Sequence, residues 1–204
     1  MVAEEQPVVL VLDDEPRIRE ALAQLLTASG LRVVLFATAA ELLSGTIPDA
    51  PCCLLLDLQL PDITGLEIQA RLSARDGPPI IFMSGHGDIP TSVRAMKAGA
   101  VEFLPKPFSD DELFNAIRAA LAQDRKRKQI KAEIVNLQKA YEQLTARERQ
   151  ALPLIASGLT NRQSAERLGI AEITLQIHRR QILKKMGAQS IPALVRMVTK
   201  LGMP

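Results

Sequence analysis

The stretch VVLVLDDEPR, residues 8–17, places five apolar residues directly before three acidic ones. The run from Val8 to Leu12 is continuous and rich in β-branched residues, as expected for a strand that is buried on both faces. Carboxylates that follow such a strand are costly to bury unless a partner compensates their charge. The stretch therefore predicts a buried β-strand whose carboxyl end opens onto a site that uses negative charge.

Short apolar strands alternate with helical segments through residues 1–122. Further strands are predicted at residues 31–36, 52–56, 80–83 and 101–104, and helices at 16–29, 38–43, 64–75, 89–98 and from 109 onward. This alternation indicates a parallel sheet that is covered on both faces. We therefore expect residues 1–122 to form a doubly wound α/β domain with five parallel strands, whose ligands bind beyond the carboxyl ends of the strands.

Polar residues end or follow four of these strands and should meet at one edge of the sheet. They are Asp13 and Asp14 after the first strand, Asp57 after the third, Ser84 after the fourth and Lys106 after the fifth. Carboxylates that pack together raise one another's pKa unless cations compensate. The cluster predicts a hard divalent cation, most naturally Mg²⁺, with Lys106 as a fixed positive charge. The alternative is that each acidic residue only ends its strand and is solvated.

These residues, in this order, resemble the receiver domain of bacterial two-component response regulators. The shared motifs are DDE at residue 13, LLLDLQLPDITG around Asp57, SGHG at residue 84 and KPF at residue 106. The resemblance implies that Asp57 is the phosphoacceptor for a cognate histidine kinase and that Lys106 contacts the phosphoryl group. It also implies a magnesium site made by Asp13, Asp14, Asp57 and the backbone carbonyl of Gln59. The chemistry is then self-catalysed phosphoryl transfer with slow autodephosphorylation, and not the turnover of an enzyme.

The same resemblance implies how phosphorylation is read out. The Ser84 hydroxyl is expected to bond the phosphoryl group while the Phe103 ring rotates toward the vacated space. Phe103 replaces a commoner tyrosine and lacks its hydroxyl, so the coupling is looser or purely steric; an ordinary core phenylalanine is the alternative. His86 either tunes hydrolysis of the acyl phosphate or is a plain loop residue. The Lys106–Pro107 bond is expected to be cis.

Charge is divided unevenly along the chain, although the net charge is only +2. Residues 1–122 carry nine Lys and Arg against 17 Asp and Glu, whereas residues 123–204 carry 16 against six. A basic second part predicts a polyanionic partner such as double-stranded DNA, with chance segregation of surface charge as the alternative. The adjacent Cys52 and Cys53 suit a core in a reducing compartment, and no apolar run reaches about 20 residues. We therefore expect a soluble, cytoplasmic protein with no membrane partner.

Residues 109–152 contain neither glycine nor proline and predict a long helix, of which residues 123–142 are assigned as a linker. Apolar residues recur there with the spacing of a short heptad seam: Ile130, Ile134, Leu137, Tyr141 and Leu144. This seam either pairs two linkers in a dimer or packs on the chain's own C-terminal domain. The basic run at residues 125–128 is either a solvated face or an aid to contact with DNA phosphates.

Residues 143–204 predict an all-α domain. One helix should end near Gly158, and others should span about 161–168, 171–186 and from 191 onward. A helix, a short glycine turn and a basic helix form a helix-turn-helix arrangement. The stretch resembles the DNA-binding domain of LuxR-type regulators, of the FixJ/NarL class of response regulators, which implies promoter binding.

On the third of these helices Leu175, Ile182 and Met186 are spaced to face the core. The resemblance matches Gln176, Ile177 and Arg180 to positions that read base edges, and their side chains suit adenine, a thymine methyl group and guanine. Phosphate contacts are expected from four further basic residues, Arg162, Arg179, Lys184 and Lys185. For each basic residue alone, a solvated surface charge is the alternative.

Three residues of this domain depart from the family pattern: Gln176 replaces a common lysine, and the other two bear on stability. Ser164 stands where an isoleucine is usual and should place a hydroxyl near the core, and Ala171 replaces the usual serine N-cap. The DNA-binding domain is therefore expected to be marginally stable. Apolar residues of the final helix predict a dimer contact, with local core as the alternative: Leu194, Val195, Val198 and Leu201.

Together the two resemblances predict a transcription factor that is switched by phosphorylation. Phosphorylated Asp57 should promote a homodimer, which presents two recognition helices to half-sites about one DNA turn apart. Two other classes of protein stay open. A metal-dependent phosphohydrolase of similar topology normally carries D-x-D after the first strand, where this chain has DDE. A phosphate-independent DNA-binding regulator would not respond to the phosphoryl analogue beryllofluoride.

Overall fold

The computed structural model describes residues 6–85 and 89–203. Its strands are β1 (Val8–Leu12), β2 (Arg32–Phe36), β3 (Cys52–Asp57), β4 (Ile80–Ser84) and β5 (Glu102–Pro105). Its first helices are α1 (Pro16–Ala28), α2 (Ala39–Ser44), α3 (Gly65–Ser73), α4 (Ile89–Lys97) and α5 (Asp110–Glu142). They are followed by α6 (Ala146–Ala156), α7 (Asn161–Leu168), α8 (Glu172–Met186) and α9 (Ile191–Lys200). The chain divides into two compact units, Met1–Lys128 and Gln129–Pro204.

The first unit is the predicted five-stranded parallel sheet, with strand order β2-β1-β3-β4-β5. The chain leaves β1 to form β2 at one edge and returns to the other side of β1 to form β3. Ligand crevices of such sheets open where the strand order reverses, here between β1 and β3. Leu12 pairs with Leu56 across these strands. The residues that follow, Asp13 and Asp57, are therefore neighbours at the mouth of this crevice.

Apolar side chains cover both faces of the sheet, because alternate residues of a strand point to opposite sides. Leu10 and Leu54 belong to the core on one face, whereas Val9, Cys53 and Leu55 belong to the core on the other. All residues of β1 and β3 are buried. Burial raises the pKa of both cysteine thiols, which keeps them neutral as small core residues.

The start of α3 lies very close to the carboxyl end of β3. Thr64 caps this helix: its hydroxyl accepts from the Glu67 N–H, and the Glu67 carboxylate accepts from the Thr64 N–H. Next to the cap stands Gly65, where a Cβ atom would lie 2.9 Å from the Phe82 ring and 3.0 Å from the Asp57 carbonyl oxygen. A side chain at this position would push α3 away from the strand that carries Asp57.

The second unit contains the predicted helix-turn-helix. Gly169 ends α7 with φ of 64°, a left-handed conformation that glycine adopts without strain, and α8 begins three residues later. From the linker seam, Leu137 and Leu144 are buried in the core of this unit, while Ile130 and Ile134 are 47% and 40% exposed. The C-terminal part of the seam thus packs on its own domain, which is the second of the two alternatives.

Both departures that bear on stability have the expected structural effect. Ser164 is fully buried, and among the described residues its hydroxyl has no hydrogen-bond partner. Ala171 is the N-cap of α8 and provides no side-chain hydrogen bond. In α9 the residues Leu194 and Val198 are buried in the same unit, so they form local core. No helix in the described part of the chain is long and apolar enough to cross a membrane.

Candidate functional site

Three carboxylates meet at the crevice between β1 and β3. Asp13 is fully buried, Asp57 is 7% exposed and Asp14 is exposed. One oxygen from each lies within 4.8 Å of the others. The sequence prediction that these strand ends converge is confirmed by this distance.

Lys106 places an ammonium group among these carboxylates. Its Nζ lies 2.6 Å from Asp57 Oδ2 and 3.0 Å from Asp13 Oδ2. The backbone holds it there, because the Lys106 N–H donates to the Ser84 carbonyl oxygen at 2.7 Å. The Lys106–Pro107 bond is cis, as expected.

Burial and hydrogen bonding shift the pKa values of two groups in this cluster, Asp13 and Lys106. Burial raises the pKa of Asp13, even though hydrogen bonds from Lys106 and from the Glu15 N–H oppose the shift. Burial alone would lower the pKa of Lys106, but its hydrogen bonds to Asp57 and Asp13 dominate and raise it. Lys106 is therefore firmly protonated, and its ammonium contacts two of the three carboxylates. By formal charge, the three carboxylates outnumber this one ammonium.

Backbone and side-chain donors orient the acidic residues. The Gln59 N–H donates to Asp57 Oδ1 at 2.9 Å, and the Glu15 N–H donates to Asp13 Oδ1 at 2.9 Å. Arg19 Nη1 donates to the Asp13 carbonyl oxygen at 2.6 Å. Sequence reasoning missed Arg19, although its place within the first turn of α1 after the acidic loop was a usable signal. Arg19 positions the loop through a backbone carbonyl oxygen, so it does not occupy a carboxylate oxygen that could bind a cation.

Asp14, Asp57 and Lys106 border an open cleft of about 420 Å³, and the buried Asp13 contacts Lys106 beside it. Its lining residues are Asp14, Glu15, Asp57, Gln59, Leu60, Pro61, Gly85 and Lys106. Carboxylate and carbonyl oxygens next to open volume are the donor set that Mg²⁺ uses when it also keeps waters or binds phosphate oxygens. The residues present therefore fit a magnesium ion together with a phosphoryl group.

The two predicted switch residues lie on the neighbouring strands. Ser84 is fully buried at the end of β4 and pairs with Pro105 of β5. Phe103 is half-buried on β5, and its ring centroid lies 6.3 Å from that of Phe82. Phe103 also borders a second cleft of about 390 Å³ between β5 and α5. His86 lies outside the described residues.

On α8 the predicted division between core and exposed faces is confirmed. Leu175, Ile182 and Met186 are buried. The three residues assigned to base reading, Gln176, Ile177 and Arg180, are exposed, and so is Lys184. Ile173, one turn before Ile177, is 64% exposed. Sequence reasoning missed Ile173, although two isoleucines four residues apart outside the core stripe gave a signal.

The other predicted phosphate-binding residues already have partners within the second unit. Arg179 Nη1 donates to Asn161 Oδ1 at 2.7 Å, and Arg162 pairs with Glu166 on the exposed side of α7. Lys185 Nζ lies 2.7 Å from Oε2 of Glu148, a buried carboxylate. Exposed Lys184 is therefore better placed than Lys185 to reach a phosphate, and the four assignments stay predictions.

Two protein families match this sequence. The family described as "Response regulator receiver domain" matches residues 9–118. The family described as "Bacterial regulatory proteins, luxR family" matches residues 142–198. The first match contains the acidic cleft and the second contains α6 to α8.

Similar proteins extend the match to nearly the whole chain. Nodulation protein W of Bradyrhizobium diazoefficiens is 46% identical over 98% of this chain and 88% of that protein. Transcriptional regulatory protein FixJ of Azorhizobium caulinodans is 40% identical over 95% of this chain and 92% of that protein. Among solved structures, the response regulator StyR is 43% identical and superposes with a TM-score of 0.83, over 96% of this chain and 99% of that one.

Proposed function

This chain belongs to the response regulators of the FixJ/NarL class, and from that premise we propose that phosphorylation of Asp57 controls its binding to promoter DNA. A receiver domain joined to a LuxR-type DNA-binding domain makes it a phosphorylation-regulated transcription factor. We also propose which residues accept the phosphoryl group and which respond to it. Its main support is the meeting of Asp13, Asp14, Asp57 and Lys106 at one open cleft.

In the proposed reaction an Asp57 carboxylate oxygen attacks the phosphorus of a phosphohistidine on a cognate kinase. The new bond is an acyl phosphate, and the bond from phosphorus to the histidine nitrogen breaks, so that the electron pair stays with the kinase. Lys106 supports the step because its ammonium already lies 2.6 Å from Asp57 and would neutralise a phosphoryl oxygen. Water later hydrolyses the acyl phosphate slowly. The chain thus catalyses its own phosphorylation and slow dephosphorylation only, and is not a classical enzyme.

Asp13, Asp14, Asp57 and the Gln59 carbonyl are the proposed magnesium ligands. A bound Mg²⁺ would supply charge neutralisation for the phosphoryl oxygens and an anchor for their orientation. Backbone and side-chain donors prepare this site: the Glu15 backbone N–H and the Lys106 ammonium hold Asp13, and the Gln59 backbone N–H holds Asp57. The excess of negative charge in the cleft favours binding of a cation.

The proposed readout begins with Ser84 and Phe103. A phosphoryl group on Asp57 offers an acceptor to the Ser84 hydroxyl, which lies at the end of the adjacent strand. Movement toward it makes room for the Phe103 ring, which is half-buried between Phe82 and the cleft along α5. We propose that this rearrangement promotes a homodimer, which binds two DNA half-sites.

For DNA contact we propose that Gln176, Ile177 and Arg180 read bases. All three are exposed on α8, whose opposite face is buried. Arg162, Arg179, Lys184 and Lys185 are the proposed phosphate contacts. Of these, the last three lie on the same helix, and the Arg179 guanidinium is oriented by Asn161. Both proposed partners, promoter DNA and a kinase phosphodonor domain, place the protein in the cytoplasm.

The test is transfer of phosphate from acetyl phosphate in the presence of Mg²⁺ to the full-length chain and to its Asp57→Ala variant. We expect acid-labile phosphate on the wild type and only background on the variant. Asp62→Asn, which removes an exposed carboxylate of the same loop, is the control and should label normally. Undiminished labelling of Asp57→Ala would move the acceptor to another residue.

A second measurement distinguishes the proposed function from two alternatives, a phosphate-independent DNA-binding regulator and a phosphohydrolase. Beryllofluoride and Mg²⁺ should increase the affinity of the wild type for a duplex selected from a random-sequence pool. An unchanged affinity would favour a phosphate-independent regulator. Sustained release of phosphate from phosphomonoesters with many turnovers would favour a phosphohydrolase.

A further inference from the structure

The basic run at residues 125–128 does not act as one surface. Arg125 and Lys126 are exposed, whereas Arg127 and Lys128 are half-buried against the first unit. Directly before them Asp124 is fully buried. The sequence predicted a solvated face or an aid to DNA contact, and for Arg127 and Lys128 the solvated face is wrong, while the aid to DNA contact stays a prediction. The reason is a buried carboxylate that draws these two side chains back onto the receiver.

Asp124 bonds to the amino end of β3. Its Oδ2 accepts a hydrogen bond from the Cys52 N–H at 2.8 Å and lies 3.1 Å from Lys128 Nζ. Its Oδ1 accepts from Arg127 Nε at 3.1 Å and from Arg127 Nη2 at 2.6 Å. A buried carboxylate needs partners on both oxygens, and here each oxygen has a cation.

Arg127 extends these contacts to the loop before β4. Its Nη1 donates to the Asp76 carbonyl oxygen at 2.5 Å, to Asp76 Oδ1 at 3.0 Å and to the Gly77 carbonyl oxygen. Asp76 has φ of 56°, a left-handed conformation that non-glycine residues rarely adopt. Surrounding contacts must hold such a residue in place, and Arg127 provides three of them.

Lys128 extends the contacts to the loop before β3. Its Nζ donates to the carbonyl oxygens of Pro48, at 2.8 Å, and Ala50, at 2.6 Å. The three charged residues therefore tie α5 to the amino end of β3 and to two loops. All of these groups lie at the edge of the sheet opposite to the phosphorylation cleft.

These contacts begin where the apolar packing of α5 ends. The buried apolar residues of this helix in the first unit are Leu113, Ala116, Ile117, Ala120 and Leu121. Residues 122 and 123 are exposed. A helical segment without tertiary packing is marginally stable in water. The polar contacts are what holds the helix from residue 122 to Lys128, the last residue of the first unit.

We propose that Asp124, Arg127 and Lys128 form a clamp that fixes the start of the linker helix to the receiver, and that phosphorylation changes DNA binding only while this clamp is closed. The second half of this statement rests on the proposed function. Cys52, which bonds to Asp124, and Asp57 are the two ends of the same buried strand. With the clamp open, the turns after Leu121 would fray, and a rearrangement of the receiver would no longer move the helix as a rigid element.

The clamp itself is tested in the unphosphorylated, full-length chain by hydrogen exchange. Asp124→Asn and the double variant Arg127→Gln/Lys128→Gln should each speed exchange of amides 122–130 by about tenfold. Arg125→Gln/Lys126→Gln removes two charges of the same run and should exchange like the wild type. Protected β1 and β3 amides will show that each variant folds. Wild-type exchange at 122–130 in both clamp variants would overturn the clamp.

The coupling is tested by adding Mg²⁺ and beryllofluoride and measuring the affinity for the selected duplex. Clamp variants should bind beryllofluoride, seen by its ¹⁹F signal, without the increase in DNA affinity shown by the wild type and the control. A wild-type increase in the clamp variants would refute the coupling. If the DNA affinity of the wild type itself does not increase, both the proposed function and the coupling are refuted. The hydrogen-exchange experiment still tests whether the clamp exists.

Discussion

Each unit of this protein contains a buried carboxylate paired with a lysine, and the two pairs are nearly identical in isolation. In the first unit Lys106 Nζ lies 2.6 Å from Asp57, and in the second Lys185 Nζ lies 2.7 Å from Glu148. The lysine side chains are 21% and 28% exposed, and those of their partners 10% and 4%. Distance and burial alone therefore do not distinguish the pair that we propose to be reactive from the structural one.

The surroundings of the two pairs are what differ. Lys106 also contacts Asp13, and the pair borders an open cleft that retains more negative than positive charge. Glu148 instead closes a capping box, because its Oε2 also accepts from the Thr145 N–H at 2.7 Å while the Thr145 hydroxyl accepts from the Glu148 N–H at 3.3 Å. The first pair is open to the cation and the phosphoryl group that we propose for this cleft, whereas the second joins α6 to α8.

The largest difference between the two lysine–carboxylate pairs is expected from Lys106→Met. The variant removes the ammonium from the cleft, and phosphate incorporation from acetyl phosphate should fall roughly 100-fold, the usual cost of deleting one charge-stabilising donor. Lys185→Met is the matched control and should label at the wild-type rate. Equal labelling rates for the two variants would show that the cleft gives Lys106 no special role.

The next largest effect is expected from Glu148→Gln. It leaves Lys185 without its charged partner and weakens the cap of α6, so the second unit should lose about 2 kcal/mol of local stability. Hydrogen exchange of α6 and α8 amides in the full-length chain measures this loss. Glu166→Gln is the control, because it breaks an exposed pair with Arg162 that should contribute little. No change in the exchange of α8 would mean that Glu148 does not hold this helix.

The Glu148 pair should also make the second unit sensitive to acid. Burial alone would raise the Glu148 pKa, but the Lys185 hydrogen bond and the Thr145 cap outweigh it and lower the pKa below its ordinary value of 4.5. The pair therefore stabilises the unit fully above pH 4.5, and this contribution is lost as the pH falls through the lowered pKa. The difference in exchange between wild type and Glu148→Gln should shrink over that range. A constant difference would contradict the charge-based account.

Sequence alone predicted the contact between Asp57 and Lys106 but not the contact between Glu148 and Lys185. The carboxyl ends of parallel strands must share one edge, so Asp13, Asp57 and Lys106 converge as soon as β1, β3 and β5 are recognised. The Glu148–Lys185 contact joins two helices through long side chains, and no periodic pattern encodes which lysine faces which glutamate. The same holds for the clamp at Asp124. The sequence of a charged run favours a solvated face, and it does not show which loops the side chains contact.

A smaller effect is expected from Ser164→Ala. The Ser164 hydroxyl is buried and, within the residues that the structure describes, makes no hydrogen bond, so its removal should stabilise the second unit by about 1 kcal/mol or somewhat more. Exchange of α7 and α8 amides reports the gain. The control is Ser157→Ala, whose exposed hydroxyl donates to the Leu154 carbonyl oxygen and should change nothing in that core. Destabilisation by Ser164→Ala would reveal a partner for the hydroxyl.

The smallest effect is expected from Ala171→Ser at the N-cap of α8. Neighbouring helices show what this position lacks: Thr160 and Ser190 each accept a hydrogen bond from the N–H three residues later, whereas Ala171 has no side-chain oxygen to offer Thr174. A serine should add about 0.5 to 1 kcal/mol and slow exchange in the first turn of α8, and Thr160→Ala should have the opposite effect on α7.

Ala171→Ser also tests why the second unit depends on the Glu148–Lys185 pair. The pair would matter most if the other contacts that stabilise α8 are weak. If so, Ala171→Ser should recover part of the stability that Glu148→Gln removes. The two changes should add, because Ala171 lies at the start of α8 whereas Lys185, the partner of Glu148, lies near its end. Their sum is measured by exchange of α8 amides in the double variant. A serine that leaves the first turn of α8 as labile as before would show that the missing cap does not limit the stability of this helix.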